Sequence, residues 1–489
     1  MKFGYSLLAL LLIAVCIGWA ATATAAGSNL QSIIDAANPG QTITVSPGTY
    51  EKITVKKSLK IIAEGAAIAA GGSEACISVE ANDVTISGFT VTGGLYGIRL
   101  QNVRGCTITN NTAIYCQQPG IALLNSDDNL VAYNNASFNG IVGEGWYGIY
   151  LSKSSNNLVL NNVASGNGAY GVHTSTSCNN NTIRGNILER NMYGLYMFTD
   201  CANNLIEENR MTWNTNSGMD IRFNCHDNRI VNNTINDNVV AGVSLLKSGN
   251  NVISGNDIAR NGKYGIQIQG EGGSNTVTSN SVMSSQTGIY LESSENQVFG
   301  NRFLDNVVQT QDRGSNQWTA PYPAGGNYWG DYAGEDSMGG PDQNAPGADG
   351  FGDSPYVIKE GTVDRYPVMG EQFLPIRLLD SSISPATAAA GEDVTIQIWL
   401  DSVNGISQIS VRAPGASSTG YVRMNPTGDH YEGVLATALM EPGVYELVVN
   451  ANDKRGYELE ETIGQVEIVQ RQGRDFQAAM SQLRNSGAL

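Results

Sequence analysis

The chain is poor in histidine, poor in basic side chains and, beyond its first 26 residues, without a long apolar run. Three histidines, His173, His226 and His430, stand among 489 residues, and the 11 methionines are scattered, so there is no His- or Met-rich tract of the kind that takes up copper. Lys and Arg number 28 against 45 Asp and Glu, a net charge of −17 at pH 7. That sign repels phosphate backbones and anionic lipid, which makes nucleic acid and membrane surfaces poor partners. The one apolar run, Leu7 to Ala20, follows Met1-Lys2 and gives way to small residues through Ala26. These are the three parts of a secretory signal peptide, and the run is short and wrongly flanked for an anchor. With no second apolar span, the mature chain is expected to be secreted or held at the cell surface.

Glycine is abundant instead, with 57 residues, and nine of them open a phrase of glycine, apolar, variable, apolar. The copies run from Gly97-Ile-Arg-Leu to Gly288-Ile-Tyr-Leu, with glycines at 97, 120, 148, 171, 194, 218, 242, 265 and 288, so the steps are 23, 28, 23, 23, 24, 24, 23 and 23. A second phrase keeps the same beat: Asn157-Leu-Val, Asn181-Thr-Ile, Asn204-Leu-Ile, Asn228-Arg-Ile, Asn251-Val-Ile and Asn275-Thr-Val. A fixed period of this length marks a solenoid, and short alternating strands between Asn and Gly turns exclude an α-solenoid. The expected fold is all-β, a right-handed parallel β-helix followed by a small β-sandwich. Each repeat forms one coil, stacked on the next at about 4.8 Å. Ile, Val and Leu fill the interior, and Asn181, Asn204, Asn228, Asn251 and Asn275 form one column at a corner.

This reading divides the chain into a signal peptide (1–26), an N-terminal cap with the first irregular coils (27–70), the repeats (71–310), a C-terminal cap with an acidic loop (311–370), an Ig-like β-sandwich (371–470) and a tail (471–489). Leu30 to Ala37 is apolar at helical spacing and suits an end cap. The 28-residue step places an insertion at about Gly140 to Trp146. Aromatics gather between Trp318 and Tyr366, which suits a plug for the last coil. Cys178, Cys201 and Cys225 share one small-residue column with Ser126, Ser154 and Ser248. Stacked side chains that point the same way make poor disulfides, so reduced, buried thiols are expected there.

Alternation turns the third residue of each glycine phrase outward, placing Tyr150, His173, Tyr196 and Asp220 in one column and Phe198 and Arg222 in a parallel one. The patch spans about 15 Å of the stack. Its aromatics offer faces to sugar rings, and Asp220 with Arg222 can grip hydroxyls or a uronate carboxylate. Proton abstraction beside a carboxylate would draw on His173 or Tyr196 as base with Arg222 as charge stabiliser. A glycosidase prefers two carboxylates, and only Asp220 is present. An ordinary solvated β face also carries tyrosine and polar residues.

For metals, the only soft cluster is Cys201, Cys225 and His226, and a buried small-residue column explains those cysteines without copper. Asp342, Asn344 and Asp353 follow a degraded EF-hand spacing, with Pro346 at its fifth place and Asp353 for glutamate at its twelfth; Asp349 adds oxygens, so Ca²⁺ is the metal to expect. Sequons at Asn110, Asn135, Asn180 and Asn232 fall in the asparagine turns, which generate such triplets by composition.

The opening Ile33 to Tyr50, the Asn-Asn-Thr coils, Gly326-Asn-Tyr-Trp-Gly-Asp-Tyr332, Asp349-Gly-Phe-Gly-Asp-Ser-Pro-Tyr356 and Asp364-Arg-Tyr-Pro367 resemble NosD-type parallel β-helix proteins, above all those found on methanogenic archaea. The resemblance covers about Ser28 to Met369. It implies a parallel β-helix at or beyond the cell surface. The family name also implies copper supply to nitrous oxide reductase, while the broader grouping includes carbohydrate-binding, lyase and epimerase β-helices. The expectation is therefore a surface protein that binds carbohydrate or cell-envelope polymer without turnover. A polysaccharide lyase or epimerase, and a copper-accessory protein, are the competing readings.

Overall fold

The computed structural model describes residues 22–25, 29–140, 146–369, 376–402, 405–414, 416, 420–437, 440–453 and 458–469. Most of the expected insertion, the tail and most of the leader lie outside these. One strand of 22–25, inside the expected leader, pairs in parallel with Thr42–Val45 at the open edge of the first sheet.

The repeats form a parallel β-helix with two long faces, a sheet of 13 strands and a sheet of 12. Neighbouring coils pair in register, Ile206 on Ile230 in one face and Tyr196 on Asp220 in the other. The third side has short strands at both ends and thins to single bridges in the middle coils, Val163 to Ile187 and Ile187 to Arg210. The period selects this arrangement because each coil offers one inward apolar residue per short strand, and only another coil can cover it. Ile183, Ile206, Ile230 and Ile253 are fully buried in one such column. The helix Leu30–Ala36 closes the N-terminal end by burying Leu30 and Ile34. The phrase glycines are needed because the coils touch there: a Cβ on Gly171 would lie 2.6 Å from the carbonyl oxygen of Gly194.

Asparagine ladders hold the corners. The expected column exists and is longer than its five members, running from Asn129 through Asn204 to Asn296 and Asn316. A second runs from Asn111 to Asn327, and a third from Asn139 to Asn261. In each, the side-chain oxygen accepts from the backbone N–H of the preceding coil, as Asn204 does from Asn181 at 2.9 Å. The first ladder ends on Asp312, which accepts from Asn316 Nδ2 at 2.8 Å. The second ends on Asp364, which accepts from Asn327 N at 2.6 Å.

The turns take positive φ, where asparagine and glycine are comfortable and bulky residues are not. Asn110, Asn161, Gly185, Asn232 and Gly255 share one such corner, yet Tyr133 stands in the same place with φ 57° and 62% of its surface exposed. Tyr133→Asn is therefore expected to raise stability by about 1 kcal/mol; a lower melting temperature would show that the tyrosine ring contributes more than its backbone costs. Cys178, Cys201 and Cys225 are free and buried, as their shared column predicts. Their corners are one residue wider than the serine corners and carry two consecutive positive-φ residues, Thr176-Ser177, Thr199-Asp200 and Phe223-Asn224. Each thiol donates back across the wider turn, to the carbonyls of Ser175, Phe198 and Arg222.

Beyond the helix, Trp318 and Trp329 plug the last coil. A four-stranded and a five-stranded sheet then enclose a separate core that includes Val394, Ile396, Leu447, Val449 and Val466. Apart from one parallel pair at an edge, their strands are antiparallel.

Candidate functional site

The strands Tyr147–Ser152, Tyr170–Ser175, Tyr193–Phe198 and Ser217–Arg222 lie side by side in the 12-stranded face. Register brings Tyr150, His173, Tyr196 and Asp220 into one row, and Phe198 next to Arg222. A third row, Tyr147, Tyr170 and Tyr193, completes the patch. It is the tyrosine directly before the phrase glycine in these three coils, and strict alternation would turn it inward, three residues from the outward column.

The rings interlock. Tyr170 stacks on Tyr147 at 5.0 Å and on Tyr196 at 4.5 Å, and Tyr196 stacks on Phe198 at 5.9 Å. His173 meets Tyr147 and Tyr170 edge-on at 4.6 and 4.9 Å. One expectation is corrected here. The outward row is not a solvated face: His173, Tyr196 and Asp220 are only 7%, 8% and 2% exposed, because the added tyrosine row folds over them.

Burial fixes the chemistry of the row. Neither ring nitrogen of His173 has a hydrogen-bond partner, and desolvation pushes its pKa down to about 3, so the ring is neutral. Desolvation likewise pushes Tyr147 and Tyr196 up to about 12. Arg222 grips Asp220 through two bonds, Nε to Oδ1 at 3.0 Å and Nη2 to Oδ2 at 2.7 Å. Burial raises the Asp220 pKa while the arginine opposes it, and the pair holds the Arg222 proton more firmly than usual. The guanidinium lies 5.6 Å from the Tyr196 ring centre. Neither His173 nor the two tyrosines is poised near neutrality as a general base would be.

The carboxylates of the acidic loop have separate partners. Asp353 accepts from the backbone N–H groups of Ser337 and Met338, Asp349 from Gly340 N and Gln343 Nε2, and Asp342 from Arg365. Asn344 is exposed. Among the described residues, no group of three or more His, Cys, Asp or Glu is placed to hold a metal ion. Of the sequons, Asn110 and Asn180 are exposed, whereas Asn135 and Asn232 are half-buried.

The family model described as "Periplasmic copper-binding protein (NosD)" matches residues 34–222 and 198–334. The chain belongs to the NosD family. A stretch of 90 residues is 44% identical to a "Cell surface glycoprotein" of Methanothermus fervidus, covering 17% of this chain and 15% of that protein, so the chain spans a small part of that relative. Among solved structures, the A-module of the mannuronan C-5 epimerase AlgE4 of Azotobacter vinelandii is similar over 60% of this chain and 93% of its own, at 17% identity and a TM-score of 0.47. The catalytic domain of a GH87 alpha-1,3-glucanase is similar over 59% of this chain and 64% of its own, at 15% identity and a TM-score of 0.45.

Among the described residues, the copper in the NosD family description finds no matching donor set. His173 is enclosed by tyrosines, His226 Nδ1 is tied to Asp227 at 2.7 Å, and His430 Nδ1 to Asp429 at 2.9 Å. The six described cysteines are buried. Cys178, Cys201 and Cys225 do stack in one buried column, but no histidine joins them and, among the described residues, no three such ligands are placed to hold one ion.

Proposed function

We propose that this NosD-family chain is a secreted or cell-surface β-helix protein that binds carbohydrate or cell-envelope polymer on its 12-stranded face without turning it over. The observation that carries this reading is the continuous ring stack from Tyr147 through Tyr170 and Tyr196 to Phe198, in which Tyr147, Tyr170 and Phe198 are half-exposed. Rings fixed by their neighbours present their half-exposed edges, and the outer rings Tyr147 and Phe198, to sugar C–H surfaces with little ordering left to do. The signal-like leader and the likeness to a cell surface glycoprotein support the location.

Lyase or epimerase chemistry is the second reading, favoured by the unpartnered nitrogens of His173 beside Tyr196. It is weakened because that imidazole is too feeble a base, the phenols hold their protons too firmly, and Asp220 is locked to Arg222. Titration calorimetry against neutral and acidic oligosaccharides tests both readings. Tyr170→Ala is expected to weaken binding by about tenfold with no unsaturated or epimerised product in any mixture. Product formation that disappears in His173→Ala would replace binding with catalysis.

A further inference from the structure

Beside Phe223 a trough of about 860 Å³ opens, lined by turn residues of four successive coils from Thr199 to Ser274. It is continuous with the aromatic face: Phe198, the last ring of the stack, meets the edge of Phe223 at 5.3 Å. Resting on the carbohydrate reading above, we infer that face and trough together hold one linear, neutral polysaccharide, with the trough selecting against uronate polymers.

Three features carry this. The first is length. From the strand that begins at Tyr147 to the turn that ends at Ser274 the path crosses six coils, or about 24 Å in five steps, which suits a chain of several sugars better than a single one.

The second is charge. Asp200, Asp227 and Glu271 face Lys247 in the trough wall, and Arg222 at its head is already matched by Asp220. A polyanion would meet three carboxylates against one uncommitted ammonium group, whereas sugar hydroxyls can donate to those same oxygens. Some of the wall is already set: Asn224 Nδ2 donates to Asp200 at 2.7 Å, and Asp227 holds His226 Nδ1, leaving the other ring nitrogen free of that bond.

The third is strain. Phe223 has φ 61° and is 37% exposed at the junction, in a turn position where a bulky residue is disfavoured and asparagine is at home. Tyr115, Tyr133, Phe138 and Trp213 are also exposed aromatics at positive φ, and Phe223 is the one of the five that lines the trough and touches the ring stack.

The test uses the full secreted chain, with cello- and laminari-oligosaccharides of two to eight units and oligogalacturonates of the same lengths, by calorimetry. Affinity for the neutral series is expected to rise through about six units, with the oligogalacturonates binding at least about tenfold more weakly. Phe223→Asn suits its backbone, so it folds at least as well as the parent; it should lower hexamer affinity about tenfold and leave the dimer unchanged. Asp227→Asn with Glu271→Gln should narrow the gap between neutral and acidic oligomers. If the hexamer binds no better than the dimer, or Phe223→Asn leaves it unaffected, the trough has no part in binding, and the face stands if Tyr170→Ala still weakens it. If no oligomer of either series binds the parent chain, the carbohydrate reading falls and this inference with it.

Discussion

Asn204→Ala is expected to lower stability by about 3–5 kcal/mol, against about 1 kcal/mol for Ile206→Val in the adjacent core column. Asn204 accepts from both the backbone N–H and Nδ2 of Asn181, and donates to Asn228 Oδ1 and to the carbonyl of Cys178. All these groups are sealed from water. Alanine strands the two donors of Asn181 and the Cys178 carbonyl, and each buried orphan costs about 1–3 kcal/mol. Aspartate does not rescue the site, because it supplies the acceptor but no donor and adds a buried charge. Since each coil contacts only its neighbours, the damage is local. Hydrogen exchange should therefore speed up between about Cys178 and Val231 and leave the coils before Asn129 unchanged. A loss below about 1 kcal/mol would mean that water or backbone shifts satisfy the orphans.

The second large effect is expected at Asp364, where the second ladder stops. Its fully buried carboxylate accepts from Asn327 N, Asn327 Nδ2, Trp329 Nε1, Thr319 Oγ1 and Tyr366 N, and so ties the aromatic plug to the last coil. Asp364→Ala strands these donors and should cost about 3–4 kcal/mol of cap stability, read as faster exchange near Trp318 to Tyr332. Burial raises its pKa from 3.8 to about 6, although the donors pull the other way. A raised native pKa means the folded cap prefers the protonated form. The stability this contributes is fully present below about pH 3.8 and is lost as pH rises through about 6. Asp364→Asn should flatten that part of the profile; an unchanged pH dependence would assign it to other groups.

Register and corner columns were legible in the sequence because a solenoid repeats the same decision many times. Ile206 sits over Ile230, and Asn204 over Asn228, in step with the glycine spacing. The site was legible only in outline. Tyr150, His173, Tyr196 and Asp220 do align, but alternation along a strand cannot reveal that side chains from the Tyr-Gly row lean over them, and that cover decides their protonation. The trough was hidden for another reason. Phe223, Asp227, Lys247 and Glu271 occupy turns, share no periodic chemistry and meet only because their coils are adjacent. In the acidic loop the spacing of Asp342, Asn344, Asp349 and Asp353 resembles a calcium loop, whereas which oxygens bind backbone N–H groups depends on turns that spacing does not describe.

The ladders also give the solenoid an electrical direction. Each asparagine in the first two ladders points its side-chain carbonyl toward the N-terminal end and gives one amide hydrogen to the next coil, the other returning to a backbone carbonyl of the coil before, so the side-chain carbonyl dipoles align along the axis as peptide dipoles do along an α-helix. The surplus hydrogens emerge at the C-terminal end, where Asp312 and Asp364 receive them. Whole coils can be gained or lost from such a stack without disturbing its ends. With those hydrogens already taken, a further coil would find no free donor for its asparagines, so the two carboxylates that finish the ladders also define where the polymer of coils must stop.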